Sequence, residues 1–143
     1  MFIGEYYHNL DDKGRLALPV KFRVKFKGGL VITRGLDNCL FVYTRQDWQI
    51  LAEKLSKLPI NQAKTRAFAR LLLAGEMDVA MDGQGRINVP DYLLNFGLLK
   101  KQVVITGLYN RLEIWDEKQW QEYKQRTEKD SGEIAEALGE LGV

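Results

Sequence analysis

Two rhythms of apolar and polar residues alternate along the chain. Short strand-like runs punctuated by glycine and proline occupy residues 1–44, and helical periods follow before the strand rhythm returns. Phe2 to Leu10 mixes aromatic and polar residues and predicts a strand. Asp11-Asp12-Lys13-Gly14 predicts a tight turn. There, Asp can bond its own backbone and Gly can take the left-handed conformation. Arg15-Leu16-Ala17-Leu18 is the returning strand of that hairpin, with Leu16 and Leu18 on one face and Arg15 and Ala17 on the other. Pro19 suits the first turn of a short helix over residues 19–26, which offers Val20, Phe22 and Val24 for burial. Leu30 to Thr33 and Cys39 to Tyr43 are strands about a turn at Gly35–Asn38. Thr44 caps a helix from about Arg45 to Leu58, with Trp48, Leu51, Leu55 and Leu58 at helical spacing, and Pro59 ends it. A second helix, from about Asn61 to Ala74, carries Ala63, Ala67, Leu71 and Ala74 on one stripe.

The strand rhythm then repeats in detail. Asp11-Asp12-Lys13-Gly14-Arg15-Leu16-Ala17-Leu18-Pro19 returns 71 positions later as Asp82-Gly83-Gln84-Gly85-Arg86-Ile87-Asn88-Val89-Pro90. Gly4-Glu5 matches Gly75-Glu76 at the same offset, and Gly35-Leu36 and Trp48 match Gly107-Leu108 and Trp120 at an offset of 72. A duplicated unit packed against its own copy is the reading this order supports. The second copy has strands at Met77 to Met81, Arg86 to Val89, Gln102 to Thr106 and Leu112 to Trp115. A short helix spans Pro90 to Asn95, and a helix capped by Asp116 follows. The units span residues 5–47 and 76–119, linked by helices over 48–75. Residues 120–143 form a C-terminal helix and an acidic tail. Residues 128–143 are expected to fray, with Ile134, Leu138 and Leu141 forming a helical stripe on contact with a partner.

Composition narrows the class. Apolar residues make up 45% of 143, enough for a packed core, and a copy alone would be marginal, so the two should interlock. No apolar run approaches membrane-spanning length, and Met1 to Glu5 lacks the features of a signal peptide. Cys39 is the only cysteine, which excludes an internal disulfide or a cysteine metal site and fits a cytoplasmic setting. The net charge of +2 hides a polarity. Residues 1–75 hold 13 Lys/Arg against 6 Asp/Glu, and residues 76–143 hold 8 against 13. A basic half points to a polyanion or to charge-complementary subunit contacts.

The recurrent turn is the candidate chemistry. From Lys13 to Arg34 the first copy carries Lys13, Arg15, Lys21, Arg23, Lys25, Lys27 and Arg34 with no acidic residue. The matching stretch of the second copy has only Arg86, Lys100 and Lys101, opposed by Asp91. Taken alone, Asp-x-x-Gly-Arg is a hairpin turn with an Asp–Arg pair at its neck, and a basic run is a solvated face. Their recurrence with flanking strands, and the absence of counter-charge in the first copy, favour nucleic-acid binding. An arginine at such a tip can donate two parallel hydrogen bonds to guanine in the major groove, while lysines neutralise phosphates. Arg15 is accordingly assigned to base edges and Lys13, Lys21, Arg23, Lys25 and Lys27 to phosphates. Asp11, Gly14, Asp82, Gly85 and Arg86 form the turn motif, with Arg86 expected to be mainly structural.

The doubled Asp-x-x-Gly-Arg-apolar-x-apolar-Pro signature, in a chain opening Met-Phe-x-Gly-Glu, resembles the MraZ proteins, which carry two SpoVT–AbrB-type units in one chain. The likeness runs from Phe2 to about Trp48 and from Glu76 to about Trp120. It implies an α+β, mainly β fold: a pseudo-two-fold double-split barrel with swapped hairpins. It implies a bacterial regulator of transcription, associated with the nucleoid, that represses its own operon of cell-division and cell-wall genes. It further implies a homo-oligomeric ring on repeated promoter boxes of double-stranded DNA. The family's Asp-x-x-x-Arg motif falls on Asp11–Arg15 and Asp82–Arg86. Gly83 and Gln84, standing where the first copy has Asp12 and Lys13, depart from the basic pattern.

An enzyme is disfavoured. His8 is the only histidine, in an aromatic strand, and no phosphate loop or nucleophile–base set is present. Asp11-Asp12 belongs to a turn more readily than to a metal site. No cofactor, metal, membrane or small-molecule substrate is expected. The rival reading is an AbrB-like antitoxin whose acidic tail binds a toxin; a purely structural ring is a third.

Overall fold

The computed structural model describes residues 1–143. The first copy supplies strands β1 (Phe2–Asn9), β2 (Arg15–Ala17), β3 (Leu30–Arg34) and β4 (Leu40–Thr44). The second supplies β5 (Met77–Val79), β6 (Arg86–Asn88), β7 (Gln102–Tyr109) and β8 (Leu112–Asp116). A 3-10 helix covers Val20–Phe26, and the α-helices are α1 (Arg45–Ser56), α2 (Ala63–Leu73), α3 (Asp91–Phe96), α4 (Glu117–Lys129) and α5 (Ser131–Ala137). The chain is therefore mainly β with helices.

Six strands form one antiparallel sheet in the order β1-β7-β8-β4-β3-β5, and β2 and β6 form a separate two-stranded ribbon. Four ladders pair a strand of one copy with a strand of the other, β1 on β7, β8 on β4, β5 on β3 and β2 on β6, while β3–β4 and β7–β8 are hairpins within a copy. One sheet face packs Phe2, Ile32, Leu40 and Ile105 under the ribbon, the 3-10 helix and α3. The opposite face packs Phe41, Tyr43, Val104 and Trp115 with residues of α1, α2 and α4. Glu5 ties α4 to β1 by accepting from Trp120 Nε1 at 2.7 Å and Lys124 Nζ at 3.3 Å.

Several expectations are corrected here. The sheet does not close into a barrel: β1 and β5 remain its two edges, because β2 and β6 are withdrawn into their own ribbon. Nor is β2 the returning strand of a hairpin with β1. A single bridge, Leu10 to Leu16, joins them, and the ladder of β2 runs along β6. That pairing puts Leu16 and Ile87 side by side in the core, at 0% and 1% exposure. In the 3-10 helix, Phe22 and Phe26 are buried, whereas Val20 and Val24 are 76% and 62% exposed. Phe22 and Phe26 both pack on the Phe2 ring, at 5.2 and 5.1 Å between ring centres, which leaves the valines facing outward. On α2 the alanines of the expected stripe are exposed and Leu72 is the buried residue. Thr33 Oγ1 donates to the Leu72 carbonyl and Arg34 Nε to that of Leu71, which sets this rotation. The acidic tail is helical rather than frayed, through α5 and a 3-10 turn at Gly139–Leu141, with no residue buried. Its Glu and Ala content supports a helix, and Glu133 suits the first turn of α5. The caps of α1 and α4 agree with the sequence reading. Thr44 accepts from the Asp47 N–H at 3.1 Å, and Asp116 from the Gln119 N–H at 3.3 Å.

Candidate nucleic-acid interface

Asp11 organises the first recurrent turn. Its Oδ1 accepts the backbone N–H groups of Lys13 at 2.9 Å and Arg15 at 2.8 Å, and its Oδ2 accepts Arg15 Nε at 2.7 Å. The Asp11 N–H donates to the Arg15 carbonyl at 3.0 Å, and the Gly14 N–H to the Asp11 carbonyl at 3.1 Å. Asp82 repeats the pattern: Oδ1 accepts from Gln84 at 2.8 Å and Arg86 at 2.9 Å, and Oδ2 accepts Arg86 Nε at 2.9 Å. Gly14 and Gly85 sit at φ of +75° and +76°, a left-handed conformation that costs other residues energy. The turns also interlock. The Leu18 N–H donates to the Gly85 carbonyl and the Val89 N–H to the Gly14 carbonyl, both at 2.9 Å. Each copy thus completes the other's turn.

The ribbon register decides what faces outward. Arg15 pairs with Asn88, Leu16 with Ile87 and Ala17 with Arg86. Leu16 and Ile87 point into the core, so Arg15, Ala17, Arg86 and Asn88 form the outer face. Arg15 and Arg86 are diagonal neighbours on it, with α-carbons roughly 7–8 Å apart for such positions in an antiparallel pair. Their side chains are 35% and 32% exposed. Each spends Nε on its aspartate, and the terminal amino groups of each make no hydrogen bond within the chain. The aspartate holds the guanidinium plane while leaving its outer edge free for a planar acceptor pair. The two arginines make the same bonds at nearly the same exposure, so the geometry of the turns does not set Arg86 apart from Arg15.

The remaining cations spread around this face. Lys13 is exposed and borders a shallow depression with Asn88, Pro90 and Asp91. Arg23 is half-buried, donates Nε to the Leu18 carbonyl at 2.9 Å, and lies across Gly85. Lys21 is exposed, its ammonium 5.4 Å from the ring centres of both Tyr6 and Phe22. Lys25 and Lys27 are exposed farther along the helix, and Lys25 lines a hollow with Met1, Gly28, Gly29 and Arg45 rather than with the ribbon. The seven-cation run of the sequence is therefore not one contiguous patch. His8 is half-buried. Burial and the nearby Arg23 charge push its pKa below the usual histidine value, consistent with a packing role. The outward position of Asn88, and the placing of Arg23 on the second copy's turn, are not legible in either segment alone.

Asp11 and Asp82 are both held below the usual carboxylate range, first by the backbone N–H of Arg15 or Arg86 and then by that arginine's side chain. A depressed folded-state pKa contributes stability that is present above the ordinary aspartate value of about 3.9 and lost as pH falls through the folded value. Urea unfolding should therefore show stability falling as the pH drops below about 4. The pair of substitutions Asp11→Asn and Asp82→Asn should flatten that limb of the curve. An unchanged acid limb in the double variant would remove the turns as its source.

Fold and site together define a protein of two like units that share one sheet and complete each other's turns. Comparison with known proteins gives the same division. A family model described as "MraZ protein, putative antitoxin-like" matches residues 1–71 and again 72–139. The chain is 43% identical to the transcriptional regulator MraZ of Alkaliphilus metalliredigens and 46% identical to that of Halothermothrix orenii, in each case over all 143 residues and the full length of both chains. It belongs to the MraZ family, whose named members here are transcriptional regulators and not enzymes. No helix is long and apolar enough to cross a membrane.

Proposed function

We propose that this chain is a sequence-specific DNA-binding repressor of its own cell-division and cell-wall operon, acting in the cytoplasm on the nucleoid. The observation that carries the reading is the outer face of the β2–β6 ribbon, with arginine edges left free beside exposed lysines. A B-DNA major groove admits a two-stranded ribbon. In it Arg15 reads base edges, while Lys13, Lys21, Arg23, Lys25 and Lys27 contact phosphates. Asp11, Gly14, Asp82 and Gly85 hold the ribbon ends in shape, and Arg86 closes its turn on Asp82 as Arg15 does on Asp11.

One ribbon makes few contacts, so strong binding calls for several chains on adjacent boxes. A ring built from repeated head-to-tail contacts supplies them and suits direct repeats. The test is fluorescence anisotropy on duplex DNA from upstream of this gene, across a salt series, with sedimentation of the same sample. Affinity should fall steeply with salt, since phosphate contacts release counterions. Salt-insensitive or absent binding sinks the proposal, and a monomer mass at physiological salt removes the ring.

A second reading keeps one observation in its favour. The tail is helical and leaves Ile134, Leu138 and Leu141 exposed among glutamates, a surface suited to a basic protein partner. Co-purification of a small basic protein, in place of promoter DNA, would select the antitoxin-like role.

A further inference from the structure

We infer that the DNA-contacting face is a lopsided composite of both copies, with Arg86 and Arg23 acting together at one end, and that each chain therefore lies on its box in a single direction. This rests on the DNA reading above. The repeat offset matches Arg23 of the 3-10 helix with Leu94 of α3. The fold places each over the glycine of the opposite copy's turn. A side-chain carbon built on Gly14 would touch Leu94 Cδ1 at 3.4 Å, whereas one built on Gly85 would overlap the Arg23 guanidino group. The turn bearing Arg86 is thus flanked by a cation and the turn bearing Arg15 by an aliphatic chain.

Other charges deepen the difference. Arg23 uses Nε on the Leu18 carbonyl, and its terminal amino groups make no hydrogen bond within the chain. Exposed Lys21 is on the same helix as Arg23 and lies against Tyr6 and Phe22. At the other end, Lys13 shares its depression with the carboxylates of Asp91 and of Asp78, the latter paired with Arg45 at 3.5 Å. The 3-10 helix belongs to the first copy, yet its Arg23 stands at the second copy's turn. A ribbon with two unequal ends has a preferred polarity on a duplex, because the more cationic end gains more from phosphate contact.

The test compares the full-length wild type, Arg86→Ala and Arg23→Leu in the anisotropy assay, with Arg15→Ala alongside and thermal melts as a control for folding. Leucine is the residue at the matched position 94, so Arg23→Leu removes the charge and keeps a side chain that this packing accepts. Arg86→Ala should weaken binding about ten-fold or more. Arg23→Leu should lower the slope of log affinity against log salt by about 1. Direction is read by tethering an iron chelate to Asp12→Cys or Gly83→Cys, both exposed, with Cys39 buried and out of reach. On a duplex carrying one box, each probe should cleave at one end, and the two at opposite ends.

The outcomes separate. If wild type binds with a steep salt slope and Arg15→Ala is impaired while folded Arg86→Ala and Arg23→Leu match wild type, the composite end is wrong and the DNA reading stands. If each probe cleaves both ends equally, the single direction is wrong. If wild type shows no salt-dependent binding, the DNA reading itself falls and takes this inference with it.

Discussion

Arg15→Ala is expected to weaken binding to the promoter box by about 1–3 kcal/mol and to flatten the preference for its cognate bases. The argument is one of geometry. Arg15 stands on the outer ribbon face with Nε anchored on Asp11 at 2.7 Å, and its terminal amino groups are free. A guanidinium held this way is already oriented for a planar pair of acceptors, so little rotamer entropy remains to be lost on binding. Arg15→Lys sharpens the test. Lysine keeps the charge and can hold a phosphate, but it lacks the two-pronged donor edge. If Arg15 reads bases, the lysine variant should lose selectivity while keeping most of the salt dependence. If both variants keep wild-type affinity and base preference, Arg15 has no such role. A circular-dichroism melt of each variant separates a lost contact from a lost turn, because the same side chain closes the turn on Asp11.

Gly107→Ala is expected to be the most destabilising small change, at about 3 kcal/mol in urea unfolding. Gly107 faces Gly4 across the β1–β7 ladder. A methyl group there would come within 2.5 Å of the Ile3 nitrogen and 2.6 Å of the Phe2 carbonyl carbon. These are backbone atoms of the neighbouring strand and have no rotamer to yield, so relief requires β1 to move off β7. That movement would loosen Phe2 from its stacking on Phe26 at 5.1 Å, and Glu5 from Trp120. Gly83→Ala is the control, since nothing lies within 4 Å of its added carbon, and it should change stability by less than about 0.5 kcal/mol. Equal stability of the two variants would show that β1 is not held as tightly as this register implies. Amide exchange along β1 should rise only in the Gly107 variant.

How far the sequence could be read depends on the range of the interactions. The two turns were legible because the bonds centred on their aspartates close within five residues: an aspartate, a left-handed glycine and an arginine at set spacing suffice. The caps at Thr44 and Asp116 were legible for the same reason. The alanine stripe of α2 misled because methyl side chains carry weak directional information. The rotation of that helix is set instead by Thr33 and Arg34 bonding its last carbonyls from β3. Val20 and Val24 misled because hydrophobicity says nothing about which side of a short helix meets the core, and Phe22 and Phe26 outcompeted them for it.

By itself the sequence determined that the chain holds two copies of one unit, and it determined the internal chemistry of each turn, since both are matters of residue identity at short spacing. Only the tertiary structure decided which copy serves which turn. Strand partners are chosen by long-range burial, which set β2 against β6 rather than β1 so that Leu16 and Ile87 share the core. That choice turned Arg15 and Arg86 to one outer face and carried Arg23 across to Gly85. One cation of the first copy, Arg23, thereby became the flank of the second copy's turn, for the physical reason that apolar contact, not charge, fixes how the copies dock.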